Sequence, residues 1–159
     1  MERDTMKLTK ELVLVDVEEA DDVAVLARLS NLLYERGYVK ETYRQAIQNR
    51  EKQYPTGLPT ETVGVAIPHT DAEHVNEEAI AIGILKEPVA FRLMGNMDEK
   101  IPVSLVFMLA LKEPKMQLDM LQRLIALFQE KELLVELQSV KNPQEVVDLL
   151  KNGLKETAV

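Results

Sequence analysis

The stretch Val63-Gly64-Val65-Ala66-Ile67-Pro68-His69-Thr70-Asp71-Ala72-Glu73-His74-Val75 holds both histidines of this chain. Its apolar run, Val63 to Ile67, stops at Pro68, and His69 follows at once. Proline fixes its own φ and pushes the residue before it toward extended backbone. His69 is therefore expected where a strand gives way to a loop, on a backbone with little freedom. A loop braced by a strand is a common place for a reactive side chain.

Downstream, Ala79 to Leu85 is nearly all apolar, the pattern of a strand covered on both faces. Val89 to Phe91 reads as a short edge piece. Gly95, Asn96 and Asp98 mark a loop, and Val103 to Leu111 reads as a buried strand. Upstream, Leu12 to Val15 is a first strand. Asp21 and Asp22 then offer an N-cap to a helix carrying Val25, Leu26, Leu29, Leu32 and Leu33 at helical spacing. Gly37 is its stop, with Arg36 at the favourable end of the helix dipole. A second helix is expected over about Glu41 to Gln53, before a loop punctuated by Pro55, Gly57 and Pro59.

The C-terminal third reads as helical. Pro114 suits a first turn, and Leu118, Leu121, Leu124, Ile125 and Phe128 form the expected inner face. A short helix is expected from Glu130 to Leu137. Asn142, Pro143 and Glu145 make a start signature for a last helix that buries Val146, Leu149 and Leu150 and ends at Gly153. Helices, then strands, then helices imply an α/β fold, a mixed sheet with helices packed on it.

The chain has 159 residues, enough for one domain with a real core, and 46% hydrophobic residues, as in globular proteins. It has no cysteine, which excludes disulfide and thiol chemistry. Met1 to Lys10 is charged and polar, unlike a signal peptide. The longest apolar run, Val103 to Leu111, is too short to span a bilayer. A net charge of −8 argues against sequence-independent nucleic-acid binding, which needs Lys and Arg to replace counterions.

Ala66-Ile67-Pro68-His69 closely resembles the phosphorylation-site signature of enzyme IIA components of the sugar phosphotransferase system, in the mannitol/fructose superfamily. Arg50-Glu51 followed by Thr56-Gly57 resembles the family's upstream Arg-Glu and Thr-Gly elements. Val103 to Leu111 resembles its late core strand, and Gln117-Leu118 with Leu121 and Leu124 resembles the helix after it. The likeness spans roughly Leu12 to Leu150. Many members carry a second histidine where this chain has Gln117. That departure, Pro55-Thr56-Gly57 and His74 together resemble the galactitol-type branch.

The resemblance implies an α/β sandwich around a mixed β-sheet of about five strands flanked by α-helices, with residues 1–159 as a single IIA domain. It implies a cytoplasmic phosphocarrier in which His69 takes a phosphoryl group from the histidine phosphocarrier protein HPr. The group then passes to a IIB component, and so indirectly serves the membrane IIC permease. It implies no metal or organic cofactor, no nucleic acid and no membrane insertion. Two other readings are a regulatory interaction module that signals by phosphorylation state, and a metal-dependent hydrolase using both histidines. The spacing of His69, Asp71 and His74 matches no familiar zinc pattern.

The chemistry assigns roles within this reading. Neutral imidazole is a good nucleophile near neutral pH, and tying one ring nitrogen to an acceptor presents the other as a lone pair. The incoming group adds up to about two negative charges, and its transfer needs positioning and charge stabilisation above all. Arg50 is the expected stabiliser, since a planar guanidinium holds two phosphoryl oxygens at once. Glu51 either orients Arg50 or faces solvent, the second being favoured. Thr56 either donates its hydroxyl to phosphate or caps the turn before Gly57. Gln117 is expected to donate an amide hydrogen bond to a phosphoryl oxygen. His74 either lies beside His69 and replaces the missing imidazole, or is a surface residue after a loop.

Overall fold

The computed structural model describes residues 7–157, with side chains through residue 154. The polar opening read at Met1 to Lys10 lies outside the described residues as far as residue 6. The chain runs β1 (Val13–Val17), α1 (Asp22–Glu35), α2 (Tyr43–Gln53), β2 (Gly57–Leu58), β3 (Val65–Ala66), β4 (Ala79–Leu93), β5 (Asn96–Ala110), α3 (Pro114–Leu127), α4 (Lys131–Ser139) and α5 (Pro143–Thr157). The strands form one mixed five-stranded sheet. β1 lies parallel to β4, β4 antiparallel to β5, and β3 parallel to β5. β2 pairs antiparallel with β3 and meets the end of β4 where Gly57 pairs with Leu93.

Strand alternation splits the core into two layers, since successive side chains point to opposite faces. Ile80, Ile82, Ile84, Leu105, Phe107 and Leu109 pack with Leu124, Leu127, Leu134, Val146 and Leu150 from α3, α4 and α5. Ala81, Leu85, Val106 and Met108 pack against Leu26, Leu29, Leu33, Tyr43 and Ile47 from α1 and α2. Both faces of β4 and β5 are thus covered, which is why Ala79 to Leu85 reads as a continuous apolar run. Asp21 caps α1 by accepting from Ala24 N–H at 2.9 Å, and Gly37 follows its C-terminus with φ +84°. Among the described residues, no helix is long and apolar enough to cross a membrane.

Five details differ from expectation. Val89 to Phe91 is not a separate edge piece. It belongs to the 15-residue β4, whose register shifts between Ile84 and Val89 before pairing resumes with Val103 to Ile101. Pro88 has no N–H to donate, so a bulge carries the strand past it. The expected loop at Gly95, Asn96 and Asp98 shrinks to the Met94-Gly95 turn, because Leu93 already pairs with Asn96.

The inner face of α3 is rotated. Met120, Leu124 and Leu127 are buried, whereas Leu118 and Ile125 are exposed. Gly153 does not end α5, which continues to Thr157. A Cβ at Gly153 would collide with the Leu127 side chain, so this glycine serves close packing of α5 on α3.

The fifth difference shapes the site. β3 pairs only over Val65–Ala66, not over Val63 to Ile67. At its start, the Thr60 hydroxyl donates to the Val63 carbonyl at 2.6 Å and accepts the Val63 N–H at 3.1 Å, which folds Val63 into a turn. At its end, the Ile67 N–H leaves the ladder for the Thr56 hydroxyl, 3.1 Å away.

Candidate functional site

His69 follows β3 on a clamped backbone. The Pro68 carbonyl accepts from Leu109 N–H on β5 at 2.9 Å. The buried Tyr43 hydroxyl, on α2, donates to the Leu109 carbonyl at 2.7 Å. The half-buried His69 ring places Nδ1 at 2.8 Å from the Ile67 carbonyl. A carbonyl only accepts, so Nδ1 carries the proton and Nε2 presents its lone pair. Burial holds the imidazole pKa below 6.5; the Ile67 bond opposes this, Arg50 reinforces it and Asp71 opposes it. The ring is therefore neutral at neutral pH, in the nucleophilic form.

Arg50, in the last turn of α2, lies beside this ring. Its Nη1 is 3.5 Å from Asp71 Oδ1, and its guanidinium stacks over the Tyr54 ring at 4.9 Å from the centroid. Its buried Nε has no hydrogen-bond partner among the described residues. Asp71 is largely exposed, and such a pair contributes little to stability. What it does is hold a cation two residues along the chain from His69.

Glu51 does not face solvent. It is 6% exposed and continues the buried stripe Tyr43, Ile47, Glu51 on the inner face of α2. Its carboxylate accepts the Thr56 N–H at 2.8 Å and the Thr56 hydroxyl at 3.0 Å. Burial pushes its pKa up to about 7, against the lowering effect of both Thr56 donors, with Asp22 adding to the rise. Thr56 itself is 2% exposed, its hydroxyl hydrogen directed to Glu51 and its oxygen accepting from Ile67.

Gln117 lies in the first turn of α3, half-buried. Its amide donates to the Thr70 carbonyl at 3.3 Å and the Leu111 carbonyl at 3.4 Å, tying the residue after His69 to the end of β5. His74 lies elsewhere. Its Nδ1 is 2.8 Å from the hydroxyl of Thr42, its Nε2 is 3.5 Å from Glu73, and its carbonyl accepts from Lys40 N–H. Thr42 precedes α2, roughly 12 Å along the helix axis from Arg50 at about 1.5 Å per residue.

The structure thus brings Arg50, Thr56 and Gln117 to His69, each through one intervening residue: Asp71, Ile67 and Thr70. Tyr43 was not singled out from the sequence, and neither was the buried pairing of Glu51 with Thr56. The signal for both was present, since Tyr43, Ile47 and Glu51 recur at helical spacing, and a carboxylate in a buried stripe requires partners. Among the described residues, no group of three His, Asp or Glu side chains is placed to hold a metal ion.

A neutral imidazole with Nδ1 committed and a cation at its side suits transfer of an anionic group through Nε2. The fold around it is that of a histidine phosphoryl carrier. Residues 6–153 match the family model described as phosphoenolpyruvate-dependent sugar phosphotransferase system, EIIA 2, and the chain belongs to this family. It is 30% identical over 137 residues to the galactitol-specific EIIA component of Escherichia coli K12, covering 86% of this chain and 91% of that protein. It is 41% identical over 101 residues to the transcriptional regulator ManR of Bacillus subtilis, covering 64% of this chain and 14% of that protein. The crystal structure of E. coli mannitol IIA superposes with a TM-score of 0.78 at 24% identity, over 91% of this chain and 99% of that one. The same fold appears in the E. coli complex of mannitol IIA with phosphorylated IIB, at a TM-score of 0.77 and 22% identity, over 92% and 99% of the two chains.

Proposed function

We propose that residues 1–159 act as a single cytoplasmic IIA phosphocarrier domain of a galactitol-type sugar phosphotransferase system. Nε2 of His69 attacks the phosphorus of phospho-HPr. The new Nε2–P bond forms as the donor's P–N bond breaks, and the electron pair of the broken bond stays on the donor's ring nitrogen. The Nδ1–H remains in place, and its bond to the Ile67 carbonyl supports the positive charge that grows on the ring. Arg50 meets the phosphoryl oxygens, and Gln117 holds the loop beside them. The group then passes to a IIB component, which serves a membrane IIC permease.

The observation that carries this reading is the single tautomer of His69, with Nδ1 bonded to Ile67 O at 2.8 Å and Nε2 left to react. The likeness to the galactitol-specific component supports the sugar branch, and the IIA–IIB complex of the mannitol system supports a IIB partner. Incubation with enzyme I, HPr and phosphoenolpyruvate should add one phosphoryl group by intact mass. Subsequent addition of a galactitol-type IIB should remove it.

The likeness to ManR favours a second reading, a regulatory module whose phosphorylation state is the signal. Labelling by phospho-HPr with no onward transfer to any sugar-specific IIB would select it.

A further inference from the structure

Three hydrogen bonds in series connect a buried carboxylate to the His69 ring. Glu51 accepts both donors of Thr56, its N–H at 2.8 Å and its hydroxyl at 3.0 Å. In its ionised form Glu51 only accepts, so the threonine hydroxyl hydrogen then points to Glu51. That leaves an oxygen lone pair for the Ile67 N–H, which it receives at 3.1 Å. The Ile67 carbonyl in turn accepts from His69 Nδ1 at 2.8 Å. Glu51 thus directs the one rotatable hydroxyl in the series, while the backbone N–H and carbonyl of Ile67 fix the direction of the other two bonds.

The backbone explains why such a device is needed here. The Ile67–Pro68 peptide has no N–H, so no ladder bond can orient it from the donor side. The residue before a proline has a narrow range of φ and ψ. Holding the Ile67 N–H on Thr56 therefore also directs the Ile67 carbonyl, one restricted residue further on. Glu51 and Thr56 are 6% and 2% exposed, and both hydrogens of Thr56 are consumed within the series. Neither side chain is placed to meet a docking partner.

We propose that Glu51 and Thr56 are positioning residues for phosphoryl transfer, which act through Ile67 to hold His69 as the Nδ1–H tautomer with Nε2 outward. The proposal rests on the reading of His69 Nε2 as the phosphoryl acceptor. It differs from a purely structural role in one respect: the imidazole's proton position depends on two side chains that do not touch the ring.

Thr56→Val keeps the branched shape and removes both functions of the hydroxyl. Thr56→Ser keeps them. Glu51→Gln keeps the shape, but its amide N–H competes with Ile67 for the Thr56 oxygen. Nitrogen-15 shifts of the His69 ring report its tautomer, and single-turnover transfer from phospho-HPr reports the rate. Thr56→Val and Glu51→Gln should each mix the tautomers and slow transfer about tenfold at saturating donor, with unchanged half-saturation, as for loss of one positioning hydrogen bond. Thr56→Ser should restore both signals.

A folded Thr56→Val or Glu51→Gln protein with the wild-type tautomer and rate would overturn the proposal. Slowed transfer with an unchanged tautomer would overturn it too, since the ring would then be held by other means. Loss of fold in one variant leaves the other to decide. If wild-type protein takes no phosphoryl group at all, the functional reading fails, while the tautomer measurement still decides the positioning.

Discussion

The His69 ring bonds back to the carbonyl of Ile67, only two residues earlier, at 2.8 Å. The bond is made to the backbone and selects which ring nitrogen reacts. His69→Ala should abolish phosphoenolpyruvate-dependent labelling and leave the circular dichroism spectrum unchanged. Because burial holds the imidazole below its usual pKa of 6.5, wild-type transfer should persist as pH falls through that value. It should decline only in more acidic solution. A rate that halves near the ordinary histidine pKa would show that the ring titrates as if exposed.

Arg50 offers a fork where lysine offers a point charge. Arg50→Ala should slow transfer about a hundredfold and Arg50→Lys about tenfold, the scale of losing donors aimed at developing charge. Unfolding free energy should change by less than about 1 kcal/mol, because the exposed Asp71 pair contributes little. Equal rates in all three proteins, measured by quench flow, would reduce Arg50 to a surface charge.

Glu51 should leave a signature in stability. Burial raises its carboxyl from 4.5 to about 7, so between these values the folded protein holds a proton that the unfolded chain has released. The stability contributed by this group is full below the unfolded pKa and is lost as pH rises through the folded one, by roughly 3 kcal/mol in all. Urea unfolding of wild type and Glu51→Gln at about pH 4.5 and about pH 7.5 measures the difference. Parallel changes in the two proteins would mean that the carboxyl titrates normally.

Gln117 and His74 make opposite predictions. Gln117 donates to the carbonyls of Thr70 and Leu111, and an amide does not titrate. Gln117→Ala should therefore slow transfer by a similar factor between about pH 5 and 8. His74 has partners on both ring nitrogens near the start of α2, so His74→Ala should transfer at the wild-type rate. A loss in His74→Ala that is greatest at acidic pH, with normal Gln117→Ala, would reverse the assignment.

Much of the fold was legible because its signals are local. The caps at Asp21 and Asn142 needed only their own turns, with Asn142 Oδ1 accepting from Gln144 N–H at 2.8 Å. The buried run Ala79 to Leu85 announced a strand with two covered faces. Illegible features depended on a neighbour. Gly153 carries the same local signal as a helix stop, and only the proximity of α3 makes it a packing contact. Leu118 and Ile125 fit a helical face as well as Met120 and Leu127 do, and the sheet chose between them. Val89 to Phe91 looked like an edge because Lys86, Glu87 and Pro88 interrupt the run, yet Phe91 is fully buried.

The same division runs through the site. The chain itself determined that His69 lies just past a strand, since Pro68 fixes its own φ and restricts Ile67. It also determined the apolar stripe of α2 and the order of the elements around the histidine. Only the tertiary structure decided that Glu51 turns inward to Thr56, that Thr56 takes the Ile67 N–H from the ladder, and that His74 goes to Thr42 rather than to His69. The physical reason is range. Backbone restriction and helical period act within a few residues, whereas a buried carboxylate finds its donors only after α2 has packed against the sheet.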